Sequence, residues 1–501
     1  MNIRFFLIFS FLVIGFAGIL SAEELTLLYW GDFQSQNKPV VTEKDGRTFE
    51  SGGAALLSGM INQINSRIDR VISFDVGNHF PGSPISSITK GASQIEILNR
   101  IGVDIFVPGS HEFDFGWKSL LDVSRKAKFD ILLANVISQE TGESIFPPYR
   151  VISRGGIDIA VLGLIDYDFQ QVVVRDRVLG TIPLDPVAIV SDFVSTFADS
   201  VDILVAATNL GWESDSILAA GIKGLDLIIG VGKKAEIIPA QKVNGTIITQ
   251  AGPYGQALGY MTLNIDLKSK SLISYENKLI QLVEGVAVPN LRIAEYVSKL
   301  EDKFRKKYKR PIGRLETDWN ISKYEPSNLA QWVADALHSS QPTNLSVINN
   351  SVIKSGVKRG ILTEWDLWQV CPMEYSLMVF QVNGRALRYV IERQIYNADN
   401  PDFDFLTWSG LEVVVENGKL KSLSANKFPV TESDEFSVVT TGNIWDGFPL
   451  YLGLQQFPDK RPFWFLPDKT LRDVLIKSIE QWKIMSTPLD DRWIQSSTPT
   501  R

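Results

Sequence analysis

The chain has 501 residues, 45% hydrophobic and 21% charged, too long for one small core and too apolar for disorder, so two or three domains are expected. Its three histidines, at 79, 111 and 338, are fewer than a two-metal hydrolase usually spends on ligands alone and argue against a His-rich centre. The single Cys371 excludes an intramolecular disulfide and a thiolate cluster. A formal charge of −7 disfavours a nucleic-acid-binding surface.

The chain opens like an export signal. Arg4 supplies a positive start, residues 5–20 are apolar or small, and Ser21-Ala22 precede the acidic pair Glu23-Glu24. Cleavage after Ala22 is expected, giving a periplasmic or extracellular protein with no membrane span. An uncleaved anchor is the alternative, because Leu20 is large for its place before the cleavage point, although the apolar run is short for a span. The mature chain would carry 49 basic and 57 acidic residues, a charge of −8.

Short apolar runs at 25–30, 71–76, 103–107, 130–133, 157–163, 202–207 and 225–229 read as buried strands. Helical spacing lies between several of them, at 53–69 and 91–101. This alternation indicates a layered α/β unit. Gly-Asp, Gly-Asn and Gly-Ser pairs follow the strands, where such folds place ligand groups. From residue 288 the pattern changes: a charged helical stretch at 291–308 ends before Pro311 and reads as a linker helix. Its basic run, 303–310, reads as a solvated face. An amphipathic helix follows at 326–338 with Ser327 as N-cap, and 344–500 mixes strands with short helices.

Several motifs carry a resemblance in the right order along the chain. Gly31-Asp32-Phe33-Gln34, Asp75-Val76-Gly77-Asn78 with Gly82, Gly109-Ser110-His111-Glu112-Phe113-Asp114, Thr208-Asn209-Leu210-Gly211 and the stretch 250–259 (QAGPYGQALG) together resemble the 5′-nucleotidase family. The resemblance implies an α/β architecture: an N-terminal four-layer metallophosphoesterase-like β-sandwich flanked by helices (23–287), a linker helix (288–310), and a mixed α/β C-terminal substrate-binding domain (311–501).

The likeness carries a specific departure. Of seven ligand positions implied by the resemblance (32, 34, 78, 110, 209, 232 and 234), only Asp32 keeps the expected residue type; the others are Gln34, Asn78, Ser110, Asn209, Gly232 and Lys234. Two cations about 3.5–4 Å apart need anions to offset their repulsion, and a bridging carboxylate supplies much of that. Asn78, at the bridging position, is neutral. Lys233 or Lys234 is expected to pair with Asp32 in place of metal. No cofactor is expected, and a divalent metal only if the altered site still binds one.

His111 and Asp114 resemble the pair that stabilises the transition state and orients the imidazole; three residues apart, they can hydrogen-bond. The alternative is a histidine that only satisfies loop backbone groups. His79 is at most a stray ligand beside Asp32, and His338 reads as a surface residue. Further on, Asn349-Asn350-Ser351-Val352-Ile353-Lys354 resembles the family's substrate-holding motif, with Lys354 in place of a bidentate arginine. Phe405 and Phe448, the latter beside Asp446, correspond to two rings that hold the nucleobase. Their ordinary alternative is core packing.

Three functions follow. The first is an exported 5′-nucleotidase-like protein with weak or lost phosphohydrolase activity that still binds a nucleoside or nucleotide. The second is a working phosphomonoester hydrolase with an altered metal site. The third is an envelope scaffold, favoured if the 12 tryptophans cluster on an exposed patch.

Overall fold

The computed structural model of the chain describes residues 22–44, 47–171, 173, 175–231, 237–400, 403–442 and 463–496. Two six-stranded sheets form the first half. In one, Ala22–Trp30 pairs parallel with Val71–Asp75, which continues in parallel to Ile105–Phe106 and Asp130–Ile131, while Ala257–Asp266 and Ser271–Gln281 close the other edge antiparallel. The other has a parallel centre of Ile157–Ile165, Ile203–Asn209, Leu227–Gly230 and Thr246–Gln250 with antiparallel edges at Tyr149–Arg154 and Ile237–Val243.

The sheets face each other across a core that includes Leu27, Tyr29, Ile72, Phe74, Val161 and Val205. A second core fills the outer face of the first sheet under helices Ala54–Asn65 and Ala92–Ile101. A third lies under Pro186–Phe197 and Trp212–Gly221 on the second sheet. This is the four-layer arrangement expected. It explains why the central strands are apolar without alternation: both of their faces are covered. The apolar runs at 103–107 and 130–133 yield only the two-residue strands Ile105–Phe106 and Asp130–Ile131, since burial of both faces outlasts the ladder bonds at the sheet edge.

One polar contact crosses the apolar core between the sheets. The buried Tyr29 hydroxyl lies 2.6 Å from Thr249 Oγ1 and accepts from Asn277 Nδ2 at 2.7 Å. Without these partners the phenol, buried at 0% exposure, would carry a desolvation cost.

The charged stretch forms a helix, Leu291–Lys307. Asn290 caps it by accepting from the Arg292 amide, and its side-chain amide donates to Ser58 at 3.0 Å. Gly59 permits that docking, because a Cβ there would stand 1.8 Å from the Val288 carbonyl oxygen. Buried Phe304 then joins Ile85 and Trp365, with Leu300, Tyr308 and Trp368 against them. That cluster ties the first half, the helix and the second half together, and an Arg177–Glu374 ion pair at 3.7 Å adds to it.

In the second half, Leu345–Asn349 lies between Leu406–Ser409 and Glu435–Thr441 in a five-stranded sheet. Helix Asn328–Ser339, capped by Ser327 onto the Ala330 amide, packs on it. A four-stranded sheet contains Leu411–Glu416 paired in parallel with Trp493–Ser496. Among the described residues no helix is long and apolar enough to cross a membrane.

The inter-sheet contact gives a stability test. Tyr29→Phe leaves the Asn277 amide and Thr249 hydroxyl short of a partner, and is expected to lower the unfolding free energy by about 1–3 kcal/mol in urea titration, with little change in m-value.

Candidate functional site

The candidate residues gather at the carboxyl ends of the parallel strands of both sheets. Trp30 leads into Gly31-Asp32, Asp75 into Gly77-Asn78, and Phe106 into the turn before Gly109, while Asn209 is the last residue of its strand. Chain direction therefore brings distant motifs to one rim. The rim is strained: Asp32, Gln34, Ser35 and Asn78 all take positive φ, between 48° and 54°. Such conformations persist where surrounding contacts over-determine them. Here the amides of Asp32, Gln34 and Ser35 donate in turn to the carbonyls of Gly77, Asn78 and His79 at 2.8–2.9 Å, lacing the two loops together.

Asn78 is the hub. Its Nδ2 donates to Asp32 Oδ1 at 2.7 Å and reaches Asn209 Oδ1 at 3.4 Å, and its Oδ1 accepts from the His111 backbone amide at 3.2 Å. The His111 N–H can only donate, which fixes which end of the Asn78 amide faces Asp32. Asn209 in turn donates to the Val76 carbonyl at 2.7 Å. The approach is so close that a Cβ on Gly109 would lie 2.4 Å from Asn78 Oδ1 and 2.6 Å from Asn209 Nδ2. Burial pushes the Asp32 carboxyl above its ordinary range, opposed by the Asn78 hydrogen bond and the charge of His111.

Ser110 opens a 3₁₀ helix, Ser110–Phe115, that carries the remaining pair. His111 Nδ1 lies 3.0 Å from Asp114 Oδ2. Burial opposes the imidazolium, but Asp114, with Glu112 and Asp32 adding, lifts its pKa to about 9. A histidine held this way favours the imidazolium at neutral pH, which can act as a cation or acid rather than a base. Glu112 holds the turn: its buried carboxylate accepts from the amides of Asn78, His79, Phe80 and Gly109 at 2.6–2.9 Å. Burial still raises it to about 7.

His79 does not face this rim. It is fully buried, stacked on Phe33 at 4.4 Å, and its Nδ1 lies 2.6 Å from Asp75 Oδ2, which also accepts from Trp30 Nε1. His338 is half-buried rather than a plain surface residue, with its ring nitrogens 3.1 Å from Ser409 Oγ and from the Thr343 carbonyl oxygen. No group of three or more His, Cys, Asp or Glu side chains among the described residues is arranged to hold a metal ion.

In the second half Asp404 and Lys323 come close enough to Tyr254 to act on its hydroxyl, with Lys354 and Phe405 beside them. Asp404, its side chain 7% exposed, pairs with Lys323 at 3.4 Å and accepts from Asn349 at 3.2 Å. Surrounding protein lowers the Lys354 ammonium pKa; Asp404 opposes this and Lys323 adds to it. Phe405 is half-buried, its amide on the Lys323 carbonyl, its ring edge-on to Trp493 at 4.9 Å. Tyr254 is tied to the first half by its amide, which donates to the Asp32 carbonyl, while its hydroxyl, raised by burial, is lowered by Lys323 and raised by Asp32 and Asp404. Phe448, Asp446, Gly232, Lys233 and Lys234 lie outside the described residues.

Sequence reasoning missed Tyr254, Lys323 and Asp404 as site residues. Tyr254 sits in the 250–259 stretch already singled out, so its position was available. Lys323 and Asp404 come from separate loops without a local pattern. Asp215 was missed too: fully buried behind the rim, it accepts from Thr208 Oγ1 at 2.7 Å and Gln250 Nε2 at 3.2 Å, and burial lifts it to about 7.

Residues 311–451 match the 5′-nucleotidase C-terminal domain. A 5′-nucleotidase of Mus musculus is 23% identical over 439 residues, 79% of this chain and 76% of that protein. The crystal structure of a 5′-nucleotidase precursor from Thermus thermophilus superposes with a TM-score of 0.73 at 19% identity, covering 96% of this chain and all of that one. Residues 311–451 thus carry the 5′-nucleotidase C-terminal domain, and the chain as a whole is similar to 5′-nucleotidases and shares their fold. A putative 5′-nucleotidase from Staphylococcus aureus, solved in complex with alpha-ketoglutarate, has the same fold at a TM-score of 0.76 and 16% identity, over 95% of this chain and 100% of that one. The family's two-part architecture, metallophosphoesterase sandwich followed by C-terminal domain, is therefore present.

Two variants probe the rim. Asn78→Asp replaces the donor by a second carboxylate against Asp32 and is expected to destabilise the chain by about 2–3 kcal/mol at pH 8, and by less as falling pH lets the pair take up a proton, as followed by thermal unfolding. Asp215 has its folded pKa raised from 3.8 to about 7, so between those values the folded chain keeps a proton the unfolded chain has lost, and stability falls as pH rises through the window. Asp215→Asn should remove most of that fall, roughly 2–4 kcal/mol, because the amide does not titrate, and Gln250 Oε1, without a hydrogen-bond partner among the described residues, can turn to accept from it.

Proposed function

We propose that this chain is an exported protein of the 5′-nucleotidase family that holds a nucleoside or nucleotide between its two halves and has lost hydrolysis through a dinuclear metal centre. The observation that carries the reading is the Asn78 amide, whose N–H points at the one remaining carboxylate, Asp32, at 2.7 Å. A donor hydrogen aimed into the ligand position repels a cation, and Asn209 turns its own amide N–H to a backbone carbonyl rather than offering a ring nitrogen. One carboxylate and neutral amides hold a hard divalent ion loosely at best and leave two adjacent cations without anionic compensation. The residues do not fit the two-metal group, and no chemical step is assigned to it.

The binding half of the reading rests on Lys323 and Asp404, which act on the Tyr254 hydroxyl as Asp32 does, and on Lys354 and Phe405 beside them. Phe405 offers a ring to a flat base, and the lysines offer cationic contacts to a phosphate or ribose oxygen. We assign Phe448 and Asp446 to the same ligand by the family resemblance.

One observation favours a second reading, a working phosphomonoesterase with an altered site. The His111–Asp114 pair is intact at 3.0 Å with its imidazole charged, as a transition-state stabiliser requires. The scaffold reading loses its support, since Trp30, Trp319, Trp332, Trp365 and Trp408 are buried and, among the described residues, only Trp464 and Trp482 are exposed.

A phosphatase assay with AMP and excess manganese or cobalt separates the two. The proposal expects turnover no greater in the wild-type chain than in Asp32→Ala, alongside heat on titration with adenosine or AMP. Turnover that disappears in Asp32→Ala establishes the second reading instead.

A further inference from the structure

The family match ends at residue 451, yet a later segment reaches the Phe405 ring. Residues 484–496 run back over the second half as a strap. Ile484 and Met485 pair with Arg314 and Leu315. Thr487 accepts from Trp319 Nε1 and, through its carbonyl, from Asn328 Nδ2, both at 2.9 Å. Gln331 exchanges two hydrogen bonds with the Asp490 backbone. Arg492 then forks onto Asp335 at 2.7 and 2.8 Å, a planar two-point contact of the kind only arginine makes.

These anchors deliver Trp493, opposite Val413 in the sheet register, to the Phe405 ring. The two rings meet at 4.9 Å with their planes at 77°, a favoured edge-to-face geometry. The cavity they line with Pro326, Gln331 and Leu411 measures about 10 Å³, room for one water at most. It is a packing seam, too small for a ligand, on the Trp493 side of the Phe405 ring. The backbone at Phe405 is pinned as well, its amide on the Lys323 carbonyl and its carbonyl on the Asn350 amide, both at 2.9 Å.

We infer that Trp493 is a positioning residue: the strap braces the Phe405 ring from behind, so that its remaining face is presented, already ordered, to a planar heteroaromatic ligand of the nucleobase class. The inference rests on the nucleoside-binding reading for its ligand, while the bracing itself does not depend on it. A preordered ring loses less freedom on binding than a loose one, so the strap tunes affinity for the base and leaves the cleft's charged groups as they are.

Two measurements on the full chain test this. Calorimetric titration with adenosine is expected to give about tenfold weaker binding in Trp493→Ala and recovery to within about twofold in Trp493→Phe, which keeps an aromatic edge. In protein labelled with 4-fluorophenylalanine, the Phe405 resonance, assigned by its loss in Phe405→Leu, is expected to be single and sharp in the wild type and in Trp493→Phe, and split or exchange-broadened in Trp493→Ala. Adenosine affinity in Trp493→Ala equal to wild type, or a Phe405 resonance as sharp without the indole as with it, overturns the proposal. A wild-type chain that gives no heat with adenosine overturns the nucleoside reading, and the fluorine resonance then decides the bracing alone.

Discussion

The rim depends on one side-chain amide. Asn78 hydrogen-bonds to Asp32, reaches Asn209 and accepts from the His111 backbone, so a single residue joins loops that follow four strands of two different sheets. A neutral amide can do this because it carries a donor and an acceptor on one planar group. A carboxylate has only acceptors, and in its place would need a cation to join Asp32. An amide at this position therefore holds the loops by directional hydrogen bonds within the protein, where a carboxylate would need an ionic bridge. Positive φ at Asp32, Gln34, Ser35 and Asn78 is sustained by the same lacing, reinforced by the four amides that Glu112 gathers from beneath.

Beneath that hub the structure is conservative, and the reason is geometric. The sandwich exists to bring strand ends together, and its core needs only apolar residues of suitable volume on central strands. Nothing in Leu27, Ile72 or Val205 depends on whether a metal sits above them. The core therefore does not depend on which residues stand at the rim, and at 19% identity the fold still superposes on a solved 5′-nucleotidase over nearly its whole length. The buried acids Glu112 and Asp215 belong to this supporting layer. Each is held by donors from several segments, and each carries a burial cost accepted for the sake of loop geometry.

How much of this was legible in the sequence varies with the range of the interaction. Val71–Asp75 and Ile157–Ile165 were readable because a doubly covered strand writes its burial directly into consecutive residues. The helix Leu291–Lys307 was readable from its charged spacing, and Ser327 from the capping preference of a hydroxyl. The His111–Asp114 pair lies within one turn, and three-residue spacing sufficed. His79 was ambiguous because its partner choice, Asp75 over Asp32, is settled by Phe33 stacking from another loop. Lys323, Asp404 and Trp493 were illegible for the same reason in stronger form: their roles come from contacts between loops far apart in the chain, and no local pattern encodes them.

Hydrogen bonds rather than metals organise the rim in this reading, and titration of the purified, chelator-treated chain with manganese puts that to the test. A rim held in this way has no tight site: heats indistinguishable from dilution are expected at micromolar manganese, and the same unfolding temperature with and without the ion, because a ligand with no preference for the folded chain cannot stabilise it. One or two equivalents bound at micromolar affinity, with a rise in unfolding temperature that disappears in Asp32→Ala, would contradict it.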